Sequence, residues 1–259
     1  MFNLNRRSVL ASASVAALGS IGVVSAAAAE TVHKDDQDIE NIKNRLLILN
    51  ARGRTLTLEQ KYYVLLACVT AQALADAAEE ITFRALKAGV KPVLIKEAVY
   101  QCAPYVGIGR VQQVLPGVNK AMKKVGVKLP LPSQATVTDE NRLEKGKEVQ
   151  IGIFGDRIRN LHKNAGPETY ELQVNDLSGF CFGDFYTRTG LGLKDRELVV
   201  FAAISTLGGC EAQLRGHIGG NLHEGNTKQN LIDALQVMVP YLGFPRTLNA
   251  LAQIQAVCK

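Results

Sequence analysis

Apolar residues recur at helical spacing through most of the long segments of the chain. Between Thr57 and Lys87 the apolar positions that share one helical face are Leu65, Leu66, Val69, Ala73, Ala77 and Ile81. This stretch stops at Gly89, a further amphipathic segment runs from Lys91 to Tyr105, and one short helix is expected after Gly107. Strand-like alternation is rare, so the pattern predicts an all-α fold.

The segment from Lys128 to Asp139 has the composition of a linker. It contains Pro130, Pro132 and Ser133 and ends in a threonine-rich tail. A domain boundary is therefore predicted near residue 138, between an N-terminal domain over 30–138 and a C-terminal domain over 139–259.

The second half repeats the first at a constant offset of 136 positions. The repeated features are a glycine, an acid followed by alanine, and Pro-Tyr-x-Gly: Gly89, Glu97-Ala98 and Pro104 to Gly107 recur as Gly225, Asp233-Ala234 and Pro240 to Gly243. In each half the glycine ends one helix, an amphipathic helix follows, and Pro-Tyr-x-Gly turns the chain. The repeat predicts two related helical units that pack around a pseudo-two-fold axis.

The first 29 residues are typical of a secretory signal. Arg6 and Arg7 precede a long uncharged run rich in Ala, Ser, Gly and Val, and small residues reach Ala29 just before Glu30. The alternative is an uncleaved membrane anchor, because the run is long enough to span a bilayer. The paired arginines favour export from a bacterial cytoplasm, so the expected location is periplasmic or secreted.

Charge and cysteine content exclude several classes of function. The net charge of +6 is spread thinly along the chain rather than clustered, which argues against nucleic-acid binding. The five cysteines lie far apart and form no CxxC pair, so neither a zinc site nor a dense disulfide scaffold is indicated. An odd count in an oxidising compartment leaves at least one thiol free or intermolecular. No cofactor is predicted.

Two runs in the second half resemble the carboxymuconolactone decarboxylase family. They are Phe182 to Leu198, which contains Gly190-Leu-Gly-Leu, and Gly208 to His217, followed by Gly225-Asn226 and Tyr241 to Pro245. The family includes lactone decarboxylases and thiol peroxidases similar to alkylhydroperoxidase D. The resemblance implies two tandem all-helical units, the first degenerate, that assemble into trimers or hexamers with sites near the subunit contacts.

Cys210 follows a Gly-Gly break, which predicts a position near a helix start. Unpaired backbone N–H groups and the helix dipole favour a thiolate there. Cys210, Gln213 and His217 are spaced three and four apart and form one stripe on a continuous helix. Cys210 and His217 are then roughly 10 Å apart along the axis. A proton relay between them needs Gln213, a water molecule, or Glu197 from the preceding helix.

The thiol peroxidases of the family have a glutamate, a Cys-x-x-Cys pair and a histidine four residues after the second cysteine. Glu197, Cys210 and His217 match this pattern, whereas Gln213 stands where the second cysteine would be. Disulfide cycling would therefore have to recruit Cys181 or an external thiol. The leading hypothesis is peroxide reduction with Cys210 as nucleophile, Glu197 and His217 as a proton relay, and an external thiol as reductant.

Two other functions remain open. The lactone decarboxylases lack the paired cysteines, and by that resemblance His217 and Glu197 would transfer protons while Arg215 and Gln213 bind a carboxylated substrate. The third hypothesis is a non-catalytic helical assembly protein. A metal site of Glu197, His217 and His223 is not predicted, because the spacing matches no familiar site.

The offset of 136 places Lys61, Leu74 and Ile81 where Glu197, Cys210 and His217 stand in the second half. None of these three side chains can replace its counterpart chemically. The first half is therefore expected to be a packing partner without a site of its own.

Overall fold

The computed structural model describes residues 36–258, and all regular structure within them is helical. The all-α prediction is confirmed, while the predicted signal over 1–29 lies outside the described residues. The first six helices are α1 (Gln37–Leu46), α2 (Leu58–Ala71), α3 (Ala75–Lys87), α4 (Pro92–Gln101), α5 (Ala103–Val106) and α6 (Ile108–Lys124). The remaining elements are a 3-10 helix between α1 and α2 (Leu49–Ala51), α7 (Arg142–Phe154), α8 (Asp156–Asn164), a π-helix (Glu171–Tyr186), α9 (Leu193–Leu207), α10 (Glu211–His223), α11 (Lys228–Leu242) and α12 (Phe244–Val257).

The apolar stretch from Thr57 to Lys87 is two helices rather than the continuous one that its pattern suggests. A capping box formed by Thr57 and Gln60 starts α2, and the chain breaks at Ala73, which adopts a φ of 58°. The apolar periodicity continues across the break because α2 and α3 both face the core. After Gly107 the expected short helix is α6, which extends over 17 residues with Pro116 inside it.

The offset of 136 also relates the helix bounds. Shifted by 136 positions, α3 coincides with α10, α4 and α5 together coincide with α11, and α2 and α6 begin within one residue of α9 and α12. The break at Ala73 corresponds to Gly209, which has a φ of 69°. The counterparts α2 and α9 pack against each other at the centre of the molecule. This contact between equivalent helices is what a pseudo-two-fold relation requires.

The two halves bury their apolar surface together. Both α2 and α9 are almost completely buried, and one hydrophobic core contains residues of both halves. The predicted linker is extended and docked on the second half, since Thr189 N–H donates to the carbonyl of Gln134 at 2.9 Å and the Thr136 hydroxyl donates to that of Thr187 at 2.9 Å. The predicted boundary at 138 lies in this extended segment.

The π-helix carries side chains of the second half toward the core. Its wide turn is seen in the i to i+5 hydrogen bond from Thr187 N–H to the carbonyl of Phe182, at 3.3 Å. It packs closely against α7 because two contact positions are glycines: a Cβ atom at Gly146 or Gly183 would collide with the backbone of the opposite helix. Over residues 36–258, the helices fall short of the combined length and apolarity that crossing a bilayer requires.

Candidate active site

Glu197 on α9 and His217 on α10 form a buried pair. The carboxylate of Glu197 is completely buried, and its Oε1 and Oε2 lie 3.2 and 3.0 Å from Nδ1 of His217. The two helices approach closely enough because residue 220, one turn after His217, is glycine. A Cβ atom there would collide with the Glu197 carboxylate. The sequence thus permits a carboxylate-supported imidazole at this crossing.

A second set of hydrogen bonds fixes the two helices in register. The Asn221 amide donates to the backbone carbonyls of Glu197, at 2.9 Å, and of His217, at 2.8 Å. The Asn226 amide in turn donates to Asn221 Oδ1 and to the carbonyl of Lys194, both at 2.8 Å. Asn226 therefore ties the end of α10 to the start of α9 and indirectly orients the buried pair.

Glu197 is also the last acceptor in a chain of hydrogen bonds formed by two hydroxyl groups and a thiol. The Tyr186 hydroxyl donates to Glu197 Oε1 at 2.6 Å, the hydroxyls of Tyr186 and Tyr105 lie 2.8 Å apart, and the Cys181 thiol donates to the Tyr105 hydroxyl at 3.4 Å. Burial raises the pKa of both tyrosines well above their ordinary value and that of Cys181 to about 12. These groups therefore remain protonated around neutral pH and can donate toward the carboxylate.

Tyr105 belongs to the first half and was not found from the sequence. Its ring meets the His217 imidazole edge to face with centroids 5.1 Å apart, and Phe154 of α7 meets the imidazole in the same manner at 5.2 Å. The first half therefore adds a side chain to the site as well as packing against it. The repeated Pro-Tyr motif was the available signal, but it indicates a turn and does not reveal which half the ring contacts.

A cavity of about 590 Å³ opens on the imidazole. His217 lines it, and because Nδ1 faces Glu197, Nε2 is the ring nitrogen available to a ligand. Cys210, Gln213, Cys181 and Arg157 also line it. Much of the remaining wall is apolar and comes from Phe154, Ile158, Leu161, Leu177, Phe182, Ile204 and Leu207. The cavity can accept a small, partly apolar molecule.

Cys210 lines this cavity but makes no hydrogen bond to the buried pair. It is the N-cap residue of α10, as the Gly-Gly break predicted, and its thiol donates weakly to the carbonyl of Gly208 at 3.5 Å. Cys181 lines the same cavity, yet it is buried and bonded to Tyr105. Gln213, in the place of a second cysteine, also lines the cavity.

The arginine that lines the cavity is not the one that the sequence interpretation named. Arg215 is exposed and outside the cavity lining, and its guanidinium donates to Gln253 Oε1 on α12 at 2.7 Å. Arg157 on α8 lines the cavity instead, next to Gly216. Within residues 36–258 no carboxylate pairs with Arg157, so it is the cation available to an anionic ligand.

Comparison with known proteins points to the same half of the chain. The model of the carboxymuconolactone decarboxylase family matches residues 174–256. A 4-carboxymuconolactone decarboxylase from Acinetobacter baylyi is 29% identical over 124 residues, which cover 48% of this chain and 91% of that protein. The second half of the chain is therefore similar to the carboxymuconolactone decarboxylase family. This similarity confirms the resemblance found in the sequence and supports an enzymatic function of the decarboxylase or alkylhydroperoxidase D type.

The first half has other side chains at the positions of the buried pair. At the equivalent positions of the first half, Lys61 donates to the carbonyl of Leu49 at 2.7 Å, Ile81 is buried in the core, and Leu74 is partly exposed. Burial lowers the pKa of Lys61. The first half thus repeats the helices of the second half but places no acid–base pair between them.

Among the described residues, no three His, Cys, Asp or Glu side chains lie close enough together to hold a metal ion. His223 is exposed at the last turn of α10, six positions beyond His217. That separation is roughly 9 Å along the helix. His217 is engaged with Glu197 instead.

Proposed function

We propose that this protein is a carboxy-lyase that removes CO₂ from a small carboxylated organic acid, with His217 as the proton donor. The observation that carries the proposal is the buried pair: Glu197 holds Nδ1 of the imidazole, and the ring faces the cavity. The relative named a 4-carboxymuconolactone decarboxylase supports this class of substrate. The proposal favours the alternative hypothesis from the sequence over peroxide reduction.

Decarboxylation replaces the carboxylate group on a substrate carbon by a proton. When the carbon–carboxylate bond breaks, CO₂ leaves and its electron pair remains on the substrate, where a neighbouring carbonyl group can delocalise it. His217 then donates a proton from Nε2 to carbon. Glu197 fixes the orientation of the ring and stabilises the charge it carries before transfer, and Tyr186, which donates to Glu197, is a positioning residue.

The cavity also offers a group that can bind the substrate carboxylate and an apolar wall that can exclude water. Arg157 can hold a substrate carboxylate through paired N–H groups. Phe154, Ile158 and Leu161 line the wall beside the imidazole and exclude water from the carbanion until His217 protonates it. The apolar wall and the single arginine fit a substrate with a partly apolar ring and a carboxylate.

The test is an assay with 4-carboxymuconolactone in the absence of any added thiol. The expected result is release of one CO₂ for each molecule consumed. Absence of CO₂ release under these conditions, with the protein folded, would contradict the proposal.

A second candidate is the thiol-dependent reduction of hydroperoxides, favoured by the position of Cys210 at the start of α10 within the same cavity. The thiolate would attack the peroxide oxygen, release an alcohol, and become a sulfenic acid that an external thiol reduces. Consumption of tert-butyl hydroperoxide that depends on dithiothreitol and is abolished by Cys210→Ser would establish this candidate. The engagement of Cys181 with Tyr105 and the presence of Gln213 argue against an internal disulfide cycle.

We also propose that the protein is exported through its paired-arginine signal and acts as a homo-oligomer, a trimer or a hexamer. The support for export is the composition of residues 1–29. The measurements are the mass of the mature N terminus in a periplasmic extract and the molar mass by light scattering. An intact Met1 in the extract, or a monomer in solution, would contradict the respective part.

A further inference from the structure

A second cavity, of about 530 Å³, lies between the linker segment and the first half. Its walls come from α4, α6, residues 129–134 of the linker and the loop before α9. The residues that line it are Val93, Lys96, Glu97, Tyr100, Asn119, Lys123, Leu129, Pro130, Leu131, Pro132, Ser133, Gln134 and Arg188. None of them lines the candidate active site, so the proposed reaction does not account for this cavity.

Lys96 is a buried cation without an acid partner in this cavity. Its residue surface is only 8% exposed, and its ammonium bonds Asn119 Oδ1 at 2.5 Å and lies 5.6 Å from the centre of the Tyr100 ring. No carboxylate among residues 36–258 forms an ion pair with it. An ammonium has three donors, and burying one without an anion is costly. Burial accordingly lowers the pKa of Lys96.

The nearby carboxylate is already neutralised. Glu97 is 1% exposed, and its oxygens accept from Arg188 at 2.8 and 3.0 Å and from the buried Arg196 at 3.1 Å. Two guanidinium groups therefore share one carboxylate, and Lys96 adds a further positive charge. Arg188 lines the cavity, and its Nη1 group has no acceptor among the described residues. The excess charge around the cavity is positive.

The remaining walls favour an organic anion over a bare inorganic one. Val93, Leu129 and Leu131 and the two linker prolines are apolar, while exposed Lys123 stands at the lining as a second ammonium. Lys123 lies one turn of α6 after Asn119, and two cationic positions in a cavity with apolar walls match a molecule with two carboxylates on an apolar body. We propose that this cavity binds a small organic dicarboxylate, with one carboxylate on Lys96 and Arg188 and the other on Lys123.

The test is calorimetric titration of the full chain with phthalate, and with neutral phthalamide as the matched control ligand. Phthalate should bind saturably and phthalamide should not. Lys96→Met should weaken phthalate binding about tenfold or more, as expected for the loss of a charge-assisted hydrogen bond. Lys123→Gln should weaken it several-fold. Lys124→Gln, which removes the same charge from the next position of α6 outside the cavity, should leave the affinity unchanged.

The comparison of Lys123→Gln with Lys124→Gln decides the question even if Lys96→Met fails to fold. Equal affinities in these two variants would overturn the proposal, as would the absence of phthalate binding to the unaltered protein or binding of inorganic phosphate alone. His217→Ala should retain phthalate binding. Its loss in that variant would place the ligand in the other cavity and also overturn the proposal.

Discussion

The two halves build the same helix crossing from different residues. Where the second half pairs Glu197 with His217, the first half has Lys61 bonded to a backbone carbonyl and Ile81 filling the core. Lys61 and the Glu197–His217 pair both have hydrogen-bond partners, so the fold accepts either version. The difference teaches that the pair of helices is the scaffold, and that the acid–base pair, together with the Gly220 that makes room for it, is a feature of one copy.

Tyr105 and Tyr241 occupy equivalent positions in the two halves, and their surroundings differ in the same way. Tyr105 of the first half reaches the second-half site, where its hydroxyl is bonded to Tyr186 and Cys181. Its counterpart Tyr241 packs beside α2 of the first half, where the Gln72 amide donates to its backbone carbonyl. The Tyr241 hydroxyl is buried without a partner among the described residues. One tyrosine is therefore integrated into a polar network and the other is retained for packing.

The largest expected effect comes from removing the imidazole. His217→Ala should lower kcat for CO₂ release by about 10²- to 10⁴-fold, the range typical of a lost general acid. His223→Ala, on the exposed end of the same helix, is the control and should retain full activity. A similar loss in both variants would show that the effect is not specific to the buried pair.

A smaller loss should follow from removing the charge that supports the imidazole. Glu197→Gln keeps the size of the side chain, and kcat should fall about 10- to 100-fold, as for other groups that orient a functional histidine. Lys61→Gln changes the equivalent residue of the first half and should leave kcat unaltered. If Lys61→Gln reduced kcat as much as Glu197→Gln, the claim that only the second half carries the acid–base pair would be wrong.

Arg157→Gln should act on substrate binding. Loss of one charged hydrogen-bonding partner predicts a KM increase of about tenfold with a smaller change in kcat. Arg159→Gln removes the same charge from α8 at a position that pairs with Asp156 outside the cavity, and it should leave KM unchanged. An unchanged KM in Arg157→Gln would remove this residue from the substrate site.

The smallest effects should distinguish the two tyrosines. Tyr105→Phe breaks the hydroxyl chain and should reduce kcat a few-fold and lower the free energy of unfolding by about 1 kcal/mol. Tyr241→Phe removes a buried hydroxyl without a partner, so it should preserve kcat and leave the protein as stable or slightly more stable. Urea titration and steady-state kinetics check both. Equal destabilisation by the two changes would contradict the contrast.

The sequence was informative about the fold where patterns are local. Helical periodicity predicted the all-α fold, and the offset of 136 anticipated the equivalent helix bounds. The break at Ala73 was missed because apolar positions continue across it, although Gly209 at the equivalent position marks the same break. An alanine with a positive φ leaves no compositional signal, whereas a glycine pair does.

For the site, the sequence indicated residues within one motif but not those brought from elsewhere. Glu197, Cys210, Gln213 and His217 were named from the second-half run, and all but the buried Glu197 line the cavity. The resemblance assigned Arg215 to a substrate carboxylate, yet its spacing of two residues from His217 turns its side chain to a different helix face. Arg157 and Tyr105 come from distant segments, and no local pattern encodes such long-range contacts.

The most direct test of whether the buried pair or the thiol carries out the reaction uses the Cys210→Ser variant. CO₂ release from 4-carboxymuconolactone by this variant is assayed beside the unaltered protein. Cys210 makes no hydrogen bond to Glu197 or His217, so activity within about twofold of the unaltered protein is predicted. Loss of CO₂ release in folded Cys210→Ser would contradict this mechanism and make the thiol the reacting group.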